Sequence, residues 1–198
     1  MSTTVLNAVI GVLSLALVGI GLYLAHNLRR QLQLKMVDRR ADAYSLLWEI
    51  LKVSGPWRRE IGRDPMSPEE RRDLYDKMTD WYFGKGNGML LPSVTRELYL
   101  NAKYNLICDE KDLRLILPLN DKSRNLYEQE REKPEWRGLL SMNQLSLLRA
   151  QMRTDLQVFG KVYSELDDLD RAFLRTVPHL DLNKKPWKSS GGPISREF

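Results

Sequence analysis

Hydrophobic and polar positions divide the chain into an uncharged first segment and a longer amphipathic remainder. Residues 5–25 form 21 consecutive positions without a charge. At about 1.5 Å of rise per residue, a helix of that length spans about 31 Å, which matches a hydrocarbon core of roughly 30 Å. The pattern therefore predicts a transmembrane helix over 5–25, preceded by a short extracytoplasmic N-terminus over 1–4.

A secretory signal peptide is the alternative interpretation of this run, and the sequence disfavours it. Signal peptides have a basic leading region, a short apolar core and small residues at the cleavage site. Here the polar residues Ser2, Thr3 and Thr4 precede the run, and the sequence across its end reads Gly-Leu-Tyr-Leu-Ala-His-Asn. Because the run is also longer than a signal core, we expect it to be retained as an anchor.

A basic cluster follows the uncharged run at once. Its members are Arg29, Arg30, Lys35, Arg39 and Arg40, against the single acidic residue Asp38. Because basic residues flank membrane spans on the cytoplasmic side, we expect a plasma (inner) membrane protein with its N-terminus outside and its main part in the cytoplasm. The cluster either only sets this orientation or also binds anionic headgroups. Such binding contributes ~1 kcal/mol of free energy per basic residue near the membrane surface.

The distribution of charge argues against nucleic acid as a partner. The whole chain carries +5. Residues 26–40 carry +4 and residues 175–198 carry +3, so the stretch 41–174 carries −2. Positive charge therefore lies beside the predicted membrane span and in the tail, whereas a nucleic-acid interface needs it on the folded body.

Apolar residues recur at helical spacing beyond the predicted span. Intervals of three and four residues separate Leu34, Val37, Ala41, Tyr44, Trp48 and Leu51. No proline or glycine interrupts residues 22–54, so the pattern predicts an amphipathic juxtamembrane helix over 26–54. A parallel coiled coil with a second copy is one use for this stripe. Ala, Tyr and Trp pack poorly in coiled coils, so we expect it to pack against its own domain.

The remaining pattern predicts a mainly α fold, with one helical cytoplasmic domain over 55–177 and a flexible tail over 178–198. Helix starts are indicated at Ser67, Ser93, Ser123, Ser141 and Ser164. The first is the strongest, because Ser67-Pro68-Glu69-Glu70 combines a capping box with a proline at the first helical position. The apolar run 113–119 fits either a helix end or a lone strand. In the tail, Trp187 is a candidate contact with the domain.

The most distinctive loop is Gly84-Lys85-Gly86-Asn87-Gly88, which follows the aromatic residues Trp81, Tyr82 and Phe83. Its glycines permit positive φ angles that expose backbone amides to an anion, with Lys85 as the counter-charge. Phosphate loops, however, follow a strand and lead directly into a helix, whereas this loop follows a predicted helix. A helix end and a tight turn therefore explain the glycines better, and the aromatic edge remains a possible ligand or partner surface.

Two segments resemble parts of uncharacterised bacterial proteins of similar size, some of which carry a single membrane anchor. The first reads Trp81-Tyr82-Phe83-x-x-Gly86-x-Gly88-Met89-Leu90-Leu91 and runs into Ser93-x-Thr95-Arg96. The second reads Leu147-Leu148-Arg149-x-x-Met152-Arg153-Thr154-Asp155-Leu156. The resemblance implies a bacterial source and a helical fold, and it brings no activity or site residues with it.

Residues with catalytic or metal-binding chemistry are few. His26, His179 and Cys108 are the only histidines and cysteine, which is too few for a zinc site of the usual spacing. A lone cysteine also suits a reducing compartment. The acidic group 167–170 has the look of a calcium loop but lacks its glycine and distant glutamate, and it fits a helix N-terminus. We therefore predict no catalytic residue, no metal and no cofactor.

These features lead to a functional hypothesis. We expect a single-pass, non-enzymatic interaction or scaffold protein, whose partners are the bilayer and other membrane or membrane-associated proteins, with a second copy of this chain among them. One alternative is an accessory subunit of a larger membrane complex, contacted through the small residues Gly21 and Ala25. Another is an enzyme that acts on a phosphate-bearing substrate at the loop 84–88.

Overall fold

Every regular element in the described part of this computed structural model is helical, which confirms the mainly α prediction. The structure describes residues 3–55, 65–133, 135–156, 166–184, 186 and 187. Within these ranges it does not describe the side chains of 3–12, 15, 16, 114–116 and 122. The chain divides into two units, Met1–Arg40 and Ala41–Phe198.

The described residues form seven α-helices. They are α1 (Thr3–Leu51), α2 (Pro68–Phe83), α3 (Ser93–Ile107), α4 (Glu110–Ile116), α5 (Asp121–Glu130), α6 (Trp136–Asp155) and α7 (Asp168–Leu174). A short 3-10 turn, Lys52–Ser54, extends α1, and a longer one, Gly84–Leu90, connects α2 to α3. Within the described part of the chain, no helix meets the combined requirements of length and hydropathy for a membrane span.

The last turns of α1 supply core residues to the Ala41–Phe198 unit. Tyr44 and Leu51 are buried, as their spacing predicted, and so are Ala43 and Leu47. Leu34 and Val37 continue the same predicted stripe but are about half exposed, at 56% and 49%. The packed stripe therefore begins later than the sequence indicated. Its buried face also includes Ala43 and Leu47, which are not among the residues that the spacing of three and four selected.

Helix α2 begins and ends where the sequence predicts. The Ser67 hydroxyl accepts from the Glu70 backbone N–H at 3.1 Å, and the Glu70 carboxylate accepts from the Ser67 N–H at 2.8 Å. Pro68 occupies the first helical position, where its missing N–H costs nothing, and Gly84 caps the C-terminus. The inward face carries Leu74, Met78 and Trp81.

Helices α3 and α6 form the centre of the Ala41–Phe198 unit. Thr95 near the start of α3 bonds Asp155 at the end of α6, whereas Arg137 near the start of α6 bonds the end of α3, so the two run antiparallel. The expected inward residues Leu98, Ala102 and Leu106 of α3 are buried. Ser93 is the first helical residue rather than the cap, because Pro92 occupies that position.

The ambiguous run 113–119 is helical at its start. It belongs to α4, which ends at Ile116 before Pro118, so the strand alternative is wrong. Strand formation would have required a partner, and the described residues contain none.

Helix α7 gives the acidic group 167–170 a local role. Asp167 caps α7, and Asp170 returns the second bond of a capping box, as expected for a helix N-terminus. The helix starts at Asp168, whereas the predicted start at Ser164 lies outside the described residues. Trp187 is buried at 4% exposure, consistent with the predicted contact of the tail with the domain.

Candidate functional site

The loop between α2 and α3 is a tight 3-10 turn with two residues in the left-handed region. Lys85 has φ 53° and Gly86 has φ 72°. Residues with a Cβ atom adopt these backbone angles only at a cost in free energy, which accounts for glycine at position 86. Lys85 adopts the conformation without that advantage, and its side chain is exposed.

Gly88 is required by close packing rather than by its backbone angles. A Cβ atom at this position would lie 2.6 Å from the ring of Tyr82, which is shorter than any ordinary contact. The neighbouring Asn87 is buried, and its Nδ2 donates to the Trp81 carbonyl at 3.0 Å. The turn therefore folds back on the end of α2 and uses Gly88 and Asn87 for contacts within the chain.

The aromatic residues beside the turn form a stack that extends from the core to the surface. Trp81 is buried and its Nε1 donates to the Ala43 carbonyl of α1 at 3.0 Å. The Tyr82 ring stacks on that of Tyr99 with centroids 5.4 Å apart, and Phe83 meets Tyr82 edge-on at 5.2 Å. Tyr99 donates its hydroxyl to the Met78 carbonyl, and burial raises its pKa. Tyr99 is therefore a neutral part of the core.

The outer edge of the stack is apolar and open. Phe83 is 74% exposed and Met89 is 87% exposed. Lys85 lies between them in sequence, within the same turn. Of the loop residues that the sequence singled out, Trp81, Tyr82, Gly86 and Gly88 serve the fold, whereas Phe83 and Lys85 face outwards. We call Phe83, Lys85 and Met89 the exposed edge.

A hydrogen-bond cluster that the sequence did not single out centres on the carboxylate of Asp155, the last residue of α6. Asp155 accepts from the Tyr44 hydroxyl and the Thr95 hydroxyl, both at 2.5 Å on Oδ2, and from Gln151 Nε2 at 3.0 Å on Oδ1. Tyr44 and Thr95 are buried. Three donors occupy most of the acceptor sites of one carboxylate, so Asp155 ties helices together and has little capacity left for a substrate.

The aromatic stack and the Asp155 cluster are parts of one assembly. Tyr44 follows Ala43, whose carbonyl accepts from Trp81, and Thr95 lies one turn before Tyr99 on α3. The segments 93–96 and 147–156 thus meet here, at the Thr95–Asp155 hydrogen bond.

The predicted basic cluster lies along α1 in the Met1–Arg40 unit. Arg29, Arg30, Lys35 and Arg39 are exposed, and Arg40 is half-buried. Exposed guanidinium and ammonium groups along a helix can meet headgroup phosphates without desolvation of a buried charge.

Other candidate residues do not assemble into a site in the described part of the chain. His26 and His179 belong to different units, and Cys108 is buried at the end of α3. Among the described residues, no group of three or more His, Cys, Asp or Glu side chains is arranged to hold a metal ion.

One open cavity of about 600 Å³ is lined by Asp109, Glu110, Lys111 and Arg131. Arg131 is already bonded to Glu110 at 3.1 Å and to Glu128 at 2.6 Å. The arginine of this lining is therefore already paired with two glutamates at the surface.

Comparison with known proteins adds no function. No family model matches the chain, and no curated protein or solved structure matches it. The resemblance to small bacterial proteins stays a prediction, and function has to be inferred from the molecule itself.

The packing of the turn predicts a graded response to alanine at its glycines. Gly88→Ala should lower the free energy of unfolding by about 1–3 kcal/mol, because the new methyl group collides with the Tyr82 ring. Gly86→Ala should cost about 1–2 kcal/mol through its positive φ. Gly84→Ala is the matched control, with open space around its Cβ and an expected change within about 0.5 kcal/mol. Urea denaturation measures all three, and equal losses would contradict this assignment.

The Asp155 cluster predicts that removal of its carboxylate lowers the stability of the fold more than removal of a surface carboxylate does. Asp155→Ala leaves the buried Thr95 hydroxyl without its acceptor, so we expect a loss of about 2–4 kcal/mol in the free energy of unfolding. Asp73→Ala is the control, because Asp73 pairs with Lys77 in solvent and should cost less than about 0.5 kcal/mol. Similar losses in urea denaturation of the two variants would show that the cluster does not hold the helices together.

Proposed function

We propose that this chain is a single-pass, membrane-anchored interaction or scaffold protein at the cytoplasmic face of a bacterial plasma membrane. Its anchor is the run 5–25, and its folded unit offers a surface to other membrane or membrane-associated proteins. Confinement to two dimensions raises the effective concentration of that surface for such partners.

The observation that carries this proposal is the lack of any charged residue in the first part of α1, together with the exposure of its large apolar side chains. The run has no charge over 21 residues. The side chains of 5–12, 15 and 16 are not described, so for these positions the support is the sequence alone. At Leu17, Val18, Ile20, Leu22 and Leu24, large apolar side chains are more than half exposed. Tyr23 is 68% exposed as well. Successive helix positions are about 100° apart, so these six residues leave no arc wider than about 100° without a large side chain, as suits a helix in lipid.

The basic cluster supports the same placement and its orientation. Arg29, Arg30, Lys35 and Arg39 are exposed just beyond the run, where cytoplasmic flanks are basic and anionic headgroups are available. We propose that they keep the folded unit on the cytoplasmic side.

The exposed edge supports an interaction role for the folded unit. Phe83 and Met89 are more exposed than the other large apolar residues of the Ala41–Phe198 unit whose side chains are described. Aromatic residues and methionine are enriched at the centres of protein interfaces. The loop glycines have intramolecular roles, and so no observation favours a phosphate-bearing substrate there.

An accessory subunit of a larger complex is the second candidate. Gly19 and Gly21 on α1 have no atom within 4 Å of the position of a Cβ, so another helix could approach them closely. Detergent extraction followed by pull-down distinguishes the two functions. Stoichiometric companions favour the accessory subunit, whereas a chain that is extracted alone favours the scaffold.

Paired arginine substitutions test the anchor. Leu17→Arg with Ile20→Arg places two charges in the run, each at a cost of about 3 kcal/mol for insertion, so the chain should leave the membrane fraction. Leu34→Arg with Val37→Arg is the matched control, with the same spacing on the same helix and similar exposure. This second pair should stay with the membranes after a high-salt wash. Identical sedimentation of the two variants would contradict the anchor.

Orientation is tested with a reporter that is active only in the cytoplasm, fused after Phe198. We expect full reporter activity, because the basic cluster holds the chain beyond the run in the cytoplasm. Activity of a periplasmic reporter at the same position, with an inactive cytoplasmic one, would reverse the orientation.

A further inference from the structure

One face of α1 beyond the uncharged run carries large apolar side chains between basic ones. Leu28, Leu32 and Met36 follow one another at intervals of four residues, and each is more than half exposed. On a helix surface, residues three and four positions apart are neighbours. Leu32 therefore has two apolar neighbours on one diagonal and the basic residues Arg29 and Lys35 on the other. We call these five residues the juxtamembrane face.

The positive charge of the juxtamembrane face is not neutralised by an ion pair. Arg29 and Lys35 are exposed, and neither forms a salt bridge with a carboxylate in the described part of the chain. Asp38 is the one acidic residue of the segment 26–40, and it lies about 120° around the helix axis from Leu32. The face therefore presents an apolar centre with unopposed positive charge on two sides.

Lipid is a poor match for the outer part of this face. Because α1 continues as one helix, Met36 lies about 16 Å along the axis beyond Ala25, the end of the uncharged run. The headgroup layer on each side of the hydrocarbon core is only about 5–8 Å thick. A helix that spans the membrane through 5–25 therefore carries Met36 past the headgroups, where its apolar side chain stays in water until a protein covers it.

A second copy of the chain is also a poor match. Two copies with the same orientation in a membrane run parallel, so residues at the same position meet. Arg29 would then lie opposite Arg29, and Lys35 opposite Lys35. Like charges that face each other across an interface oppose association, whereas acidic groups at the same places would favour it.

We propose that the juxtamembrane face of the anchored chain, as described under the proposed function, binds an acidic amphipathic helix of another membrane or membrane-associated protein. The apolar stripe of the partner packs on Leu28, Leu32 and Met36, since helices associate through apolar residues that recur every three or four positions. Aspartates or glutamates beside that stripe pair with Arg29 and Lys35. The apolar contacts supply affinity, and the charges select the partner and its register.

A pair of designed helical peptides tests this charge preference. The probe is a peptide of about three heptads with leucine at positions a and d and glutamate at e and g, and its counterpart has lysine at e and g. The full-length chain is reconstituted in phosphatidylcholine nanodiscs, and fluorescence anisotropy measures peptide binding against empty nanodiscs. We expect the glutamate peptide to bind at least about ten-fold more tightly than the lysine peptide. Equal affinities would overturn the proposal.

Two alanine pairs separate the juxtamembrane face from the rest of the helix. Leu28→Ala with Leu32→Ala should weaken binding of the glutamate peptide by about ten-fold or more, as for residues at the centre of an interface. Leu34→Ala with Val37→Ala is the matched control, because these residues are similarly exposed on α1 but lie off the face. The control pair should change the affinity by less than about two-fold. Equal losses in the two pairs would also overturn the proposal.

Two further readouts separate the other occupants and the anchor itself. If Leu28→Ala with Leu32→Ala weakens retention in the nanodisc, or removes a cross-linked dimer, but leaves the peptide affinity unchanged, the face contacts lipid or a second copy and the proposal is overturned. If the unmodified chain leaves the nanodisc without detergent, the proposed anchor fails. The same peptide comparison on the chain in solution then still decides whether the face binds an acidic helix.

Discussion

The Asp155 carboxylate accepts hydrogen bonds from the side chains of three helices, and the arrangement of the Ala41–Phe198 unit depends on it. Tyr44 comes from α1, Thr95 from α3, and Gln151 from α6 itself. Hydrogen bonds to a charged group contribute about 1.5–3 kcal/mol each, and a buried hydroxyl that lost its acceptor would impose a similar cost. The cluster therefore fixes the last turns of α1 against α3 and α6, and the Trp81–Ala43 bond holds α2 to the same end of α1.

Local signals in the sequence predicted the parts of the fold that depend on neighbouring residues. The capping box at Ser67 and Glu70, the stop at Gly84 and the acidic start of α7 all require partners within four positions along the chain. The Asp155 cluster could not be found in this way. Thr95 and Tyr44 lie 60 and 111 positions from Asp155, and nothing in their local patterns indicates a shared partner.

In the candidate site, too, the sequence indicated the local feature but not the contacts that explain it. The glycine loop was recognisable from composition, but its sequence left a turn and a ligand site both open. Glycine is needed at position 88 because the ring of Tyr82 fills the space that a side chain would take. It is favoured at position 86 because φ is positive there. With both explained by the fold, Phe83, Lys85 and Met89 are left as the outward-facing chemistry of the loop. The proposed interaction role rests on this edge.

The function proposed here depends on α1 having two different environments along one helix. Its final turns pack in a protein core, whereas its first part is an uncharged run that we propose lies in lipid. The most direct measurement is carbonate extraction of membranes that contain the full-length chain. We expect the protein to stay in the membrane pellet and to need detergent for release. Release into the carbonate supernatant as a monodisperse, detergent-free species would contradict the account.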